Sequence, residues 1–151
     1  MNPTKYFNTF NIEQEINIEV QNSTGKLQES WYKTILKATT LKNHYTEFGI
    51  IASPYENFDF YEPRSAGRYV YIPSRIESYI QLESNRNHNL NFDIYLSGIK
   101  YNEKHRSTYN IYAGPKYRFN NKFSLSYYID YTQQSNNLGW VTNTNTDIIF
   151  A

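Results

Sequence analysis

The chain has no cysteine, a single methionine, and only six glycines scattered among its 151 residues. Without cysteine there is neither a disulfide framework nor a thiolate zinc site, and the compartment is left open. No run of about 18 apolar residues occurs, which excludes a transmembrane helix. Met1, Asn2, Pro3, Thr4 and Lys5 lead into no apolar stretch of the signal-peptide kind. A secreted reading therefore expects a mature form or a fragment. Neither charge sign dominates: 15 basic residues face 14 acidic ones, for a net charge of +1. No basic stripe is visible, so nucleic acid is not an expected partner. No Gly-x-Ser-x-Gly elbow and no phosphate-cradling glycine loop occurs.

Aromatic side chains are abundant. They make up 18% of the chain, with 16 Tyr and 9 Phe, although the mean hydropathy is -0.75. Leu, Val and Ala, the usual material of a globular core, are scarce. Tyrosine suits places where one end of the side chain is dry and the other wet.

The dominant pattern is alternation with period two. Phe10, Ile12, Ile16, Ile18 and Val20 share one parity, and Asn11, Glu13, Glu15, Asn17, Glu19 and Gln21 share the other. A helix would scatter these charges around its circumference, whereas a strand separates them onto two faces. The pattern predicts strands near 6–20, 27–41, 44–54, 76–84, 90–101, 109–119, 123–132 and 140–150. Polar turns at Lys42-Asn43, at 85–89 and at 120–122 suit Asn, which tolerates positive φ. Between them come longer links at 21–26, 55–75, 102–108 and 133–139. The expectation is an all-β fold: a single antiparallel up-and-down meander of about eight strands, part of a transmembrane β-barrel. It is expected to be a fragment of a larger barrel, with free edges.

Alternation alone also fits a soluble sandwich or barrel with the apolar face buried. Three features favour a membrane. The other face is rich in Tyr, Asn, Ser, Asp and Glu, as a wet interior would be. Aromatics gather near strand ends, at Tyr6, Phe7, Tyr45, Tyr101, Phe119, Phe123 and Tyr131, like interfacial girdles. Short and long connections take turns. On this reading Phe10, Ile12, Ile16, Ile18, Ile80, Leu82, Leu90, Phe92, Ile94, Leu96, Ile111, Leu125 and Ile129 face lipid. Glu13, Glu15, Glu19, Lys33, Lys37, Glu77, Glu83, Asp93, Lys116, Arg118 and Asp130 face the interior.

More specific strings lie between Asn43 and Pro73: Asn43-His44-Tyr45-Thr46-Glu47-Phe48-Gly49, then Asp59-Phe60-Tyr61-Glu62-Pro63-Arg64, then Gly67-Arg68-Tyr69. With the closing Asp147-Ile148-Ile149-Phe150, they resemble the C-terminal barrel of an uncharacterised family of gram-negative outer-membrane proteins. In that family the barrel follows an N-terminal module similar to the family 9 carbohydrate-binding modules. The family's Gly-Arg-Arg-Asp string is absent here, since the sequence stops at Ala151. The resemblance implies an outer-membrane location, lipid as a partner, and a link to carbohydrate or cell-surface processes. Some members carry a hydrolase label, but the resemblance supplies no catalytic residue.

Candidate chemistry is sparse. His44, His88 and His105 sit at or near turns, far apart in sequence, and are read as solvated; no metal or cofactor is expected. Glu13, Glu15 and Glu19 share a face and could serve acid/base work. They are read instead as interior charges opposite Lys33 and Lys37. The segment 55–75 holds Tyr55, Phe58, Phe60, Tyr61, Tyr69 and Tyr71 with Glu62, Arg64 and Arg68. It is either a sugar or protein platform, or a loop that packs on itself and is fixed by an arginine–glutamate pair. Three functional readings follow: a non-catalytic scaffold or transport-associated barrel, a binding barrel acting through 55–75, and the C-terminal barrel of a nutrient receptor. An enzyme is not expected, because no convergent acid/base set is present.

Overall fold

The structure is a computed structural model that describes residues 5–60 and 68–137. All of its regular elements are strands: β1 (Phe7–Val20), β2 (Leu27–Thr40), β3 (Tyr45–Ser53), β4 (Asn57–Asp59), β5 (Val70–Ile72), β6 (Arg75–Glu83), β7 (Leu90–Tyr101), β8 (Ser107–Arg118), β9 (Ser124–Ser126) and β10 (Ile129–Ser135). One sheet runs in the order β1-β2-β3-β6-β7-β8-β10, with β9 also on β8, while β4 and β5 form a separate ribbon. Every pairing in the main sheet is antiparallel, as short connections between neighbours require. This is the expected meander of about eight strands. Among the described residues β1 and β10 do not pair with each other, so no closed ring is seen. The strand expected at 140–150 lies outside the described residues.

The registers carry the alternation across the whole sheet. Ile12 pairs with Leu36, Leu36 with Phe48, Phe48 with Ile80, Ile80 with Leu96, and Leu96 with Ile111. Ile111 in turn pairs with Tyr131. This apolar face holds a single Asp, Glu, Lys or Arg, namely Lys100, which pairs with Ile76 near the sheet margin. The opposite face collects the acids and bases. Its first pairs are Glu15 with Lys33 and Asn11 with Lys37.

Among the described residues, much of the apolar face is uncovered. Ile35 is the one buried large apolar side chain among the described residues, and it belongs to the polar face. Ile12, Ile16, Ile18, Leu90 and Leu125 are each more than half exposed. A soluble sandwich would place a second sheet over them; among the described residues the only other sheet is the short β4–β5 ribbon, and these five side chains stay exposed.

Several details differ from the sequence reading. The contrast in connection length rests on one insertion, 54–74. The links at 21–26 and 102–106 are no longer than the turn at 84–89. Residues 107 and 108 belong to β8, so the link before it is shorter than expected, and 133–135, expected in a link, extend β10. The insertion itself carries the β4–β5 ribbon, whose three-residue strands are too short to display a period. The single strand expected at 123–132 is divided into β9 and β10. Both pair with β8 in one continuous register, and the interruption lies opposite Gly114 and Pro115. Pro115 accepts a bond from the Tyr127 amide at 3.0 Å. Having no N–H, it cannot return one, and the ladder breaks there.

The end of the sheet bearing the 41–44, 84–89 and 119–123 turns is bonded from hairpin to hairpin. The Asn85 amide donates to His44 Nδ1 at 3.2 Å, and Asn85 Nδ2 donates to the Lys42 carbonyl at 2.9 Å. Arg118 Nη2 reaches the Asn87 carbonyl at 3.2 Å. Asn43 takes a φ of 60°, as the turn reading required. His44 is therefore a bonded side chain and not merely a solvated one.

Candidate functional site

The β4–β5 ribbon brings four described aromatics of the 55–75 segment together: Phe58, Phe60, Tyr69 and Tyr71. Phe58 packs edge-on against Tyr69 at 5.2 Å between ring centroids and lies 6.0 Å from Tyr71. Phe60 meets Tyr69 at 5.6 Å. Tyr71 donates a hydrogen bond to Glu56 Oε1 at 2.9 Å. That bond to a carboxylate pushes the Tyr71 phenol above its ordinary range. Tyr55 stands apart and is 64% exposed. Arg68 lies just before Tyr69. Tyr61, Glu62 and Arg64, and with them the expected arginine–glutamate pair, fall outside the described residues. The ribbon is pinned to the sheet by buried Asn57, whose Oδ1 accepts the Ser30 amide at 3.2 Å.

The polar face divides into two regions. Over β1–β3 it is a charged lattice. Lys37 Nζ lies 2.6 Å from Glu13, and Lys33 Nζ lies 3.7 Å from Glu15. Both pairs join the side chains expected to face each other. Glu19 takes no part in them and accepts from Asn17 instead. Glu47 accepts from two phenols, Tyr45 and Tyr79, the latter at 2.7 Å. Tyr45 and Tyr101 lie on this face, so neither joins an aromatic girdle on the apolar side. Tyr101 instead stacks beneath the buried Arg106 guanidinium at 4.3 Å, and Arg106 bonds Glu103 at 2.9 Å.

Over β6–β10 the polar face becomes a band of tyrosines. Tyr79 and Tyr95 stack at 5.7 Å with 28° between ring planes. Tyr95 pairs directly with Tyr112 across β7 and β8. Tyr112 and Tyr128 stack at 6.2 Å and 25°. Glycine lets these rings lie against the backbone. A Cβ at Gly49 would overlap the Tyr79 ring, and one at Gly114 would sit 2.8 Å from the Tyr112 hydroxyl. Asp93 pairs with Gly114 and Asp130 pairs with Tyr112, so a carboxylate flanks the band on either side.

The sequence reading did not single out this band. A signal was present: the four tyrosines share the polar parity and follow one another at 16, 17 and 16 residues, one strand and turn apiece. Among the described residues no three His, Asp or Glu side chains converge in a way that could hold a metal. Among the described residues no helix is long and apolar enough to cross a membrane, which has no bearing on spanning by strands.

A family model described as a domain of unknown function (DUF5916) matches residues 1–151. The chain belongs to that family. Comparison with curated proteins and with solved structures gives no match.

Proposed function

We propose that this member of the family is a segment of a bacterial outer-membrane β-barrel, a non-catalytic scaffold or transport-associated domain linked to carbohydrate or cell-surface processes. Its apolar face would meet lipid and its polar face would line the interior. The observation that carries this reading is the uncovered apolar face. In water such a face is a liability. In a bilayer it is a requirement, and a charge there costs about 2–4 kcal/mol for a basic group at the midplane. Lys100 stands at the margin of the face, where a long side chain can reach the interface. Length agrees. A strand of 12 residues such as β7 extends about 40 Å. Tilted by about 40°, it rises about 30 Å, enough to cross the apolar band. The link to carbohydrate comes from the sequence resemblance.

Fractionation of gram-negative cells expressing the full-length protein tests this reading. The protein is expected in the outer membrane, Ile94→Arg is expected to block assembly, and Asp93→Asn is expected to be tolerated. A water-soluble product, or equal tolerance of both changes, overturns it.

A second reading has a specific observation behind it: Tyr69, packed in the aromatic cluster, and Tyr55, just before β4, are each more than half exposed. On this reading the 55–75 segment captures a glycan or a protein partner. Tyr55→Ala and Tyr69→Ala would then abolish glycan retention without harming assembly.

A further inference from the structure

We infer that the tyrosine band on the polar face binds an organic cation, with an alkylammonium group against the rings of Tyr95, Tyr112 and Tyr128 and between the carboxylates of Asp93 and Asp130. Three observations converge on this chemistry. The first is the presentation of the rings. Tyr112 and Tyr128 are close to parallel, at 25°, and Tyr128 is 64% exposed. Ring faces are electron-rich and attract a cation within about 6 Å of the centroid.

The second is local charge. Asp130 accepts a hydrogen bond from Asn110 at 3.0 Å and has no ion pair among the described residues. Asp93 has Arg86 at 3.9 Å, but Arg86 lies closer to Glu83, at 2.8 Å. Of the other cations on this face, Lys33 engages Glu15, Lys37 Glu13 and Arg75 Glu29, and Arg118 reaches the Asn87 carbonyl, so Lys116, two positions along β8 from Gly114, is the one nearby cation.

The third is the face as a whole. By register it carries nine carboxylates, from Glu13, Glu15, Glu19, Glu29, Glu47, Glu77, Glu83, Asp93 and Asp130. Against them stand five cations: Lys33, Lys37, Arg75, Lys116 and Arg118. The chain is nonetheless +1 overall, because much of the remaining basic charge sits in the turns and links. A wall of this kind concentrates cations near it. A neutral saccharide would also stack on flat rings, but it would gain nothing from the unpaired charge of Asp130.

The inference needs a wet polar face, and that holds whichever environment the apolar face meets. Binding is therefore measured on the full-length protein in detergent, apart from its membrane assembly. The probe is choline chloride, titrated by calorimetry at constant ionic strength, with 3,3-dimethyl-1-butanol as the uncharged isostere and maltose as the saccharide. Saturable binding of choline alone is expected. Asp130→Asn, which keeps an acceptor for Asn110, should weaken it about ten-fold, as should Tyr128→Leu, while Tyr128→Phe retains it. Absence of saturable choline binding overturns the inference. So does equal binding of the isostere, indifference to Asp130→Asn, or a preference for maltose, which would make the band a sugar platform.

Discussion

The two faces of the sheet share one set of backbone ladders and demand opposite things of their side chains. On the apolar face many side chains stand open, and the ring contacts gather toward one margin, at Tyr117, Phe119 and Phe123. Ile16 and Ile18 stand 74% and 69% exposed, and their contribution depends on what surrounds the sheet. On the polar face the side chains engage each other across neighbouring strands. Glu47 gathers two phenols, Lys37 leans on Glu13, and Tyr79 lies over Gly49. On the proposed membrane reading, the apolar face should tolerate exchange of one apolar residue for another and reject charge. The polar face tolerates loss of a charge and rejects loss of shape complementarity.

The harshest way to break that contrast is a charge on the apolar face. On the proposed membrane reading, Ile94→Arg should cost about 2–4 kcal/mol in the bilayer and block outer-membrane assembly, as read by fractionation. Next comes shape on the polar face. Gly49→Ala forces the Tyr79 ring away and takes its bond to Glu47 with it, a loss of about 1.5–3 kcal/mol for a bond to a charged group. Denaturant unfolding should show that loss, and Tyr79→Ser should relieve most of the clash. Smaller still is Phe58→Ala. It removes two ring contacts worth about 0.5–1.5 kcal/mol each, and its effect should stay local. Limited proteolysis should nick 54–74 faster while the sheet remains intact. Asp93→Asn should lie within about 0.5 kcal/mol of the parent in the same unfolding assay. A large effect there would erase the contrast between the faces.

The strands were legible because each is long enough to repeat its period several times. β1, β7 and β8 stand within two residues of their expected bounds. The β4–β5 ribbon was not legible, because three residues per strand show no period at all. Its aromatics were singled out by composition, and the ring contacts of Phe58, Phe60, Tyr69 and Tyr71 do bring them together. The tyrosine band escaped notice for a different reason. Which tyrosine meets which glycine is decided by register, and Gly49 and Tyr79 lie 30 residues apart in the chain but directly opposite in the sheet. The reading of alternating loop lengths overreached, since it rested on the one insertion.

Pro115 leaves the last described strand fastened to the sheet as two independent lengths. β9 and β10 keep the same alignment on β8, yet between them the Tyr127 carbonyl receives nothing from its opposite residue. Opening along this seam meets less resistance at its centre than at either end, because one bond of the ladder is missing by covalent necessity. The outermost described strand thus has a fixed point from which to peel, and peeling there would bare the backbone of β8 behind it.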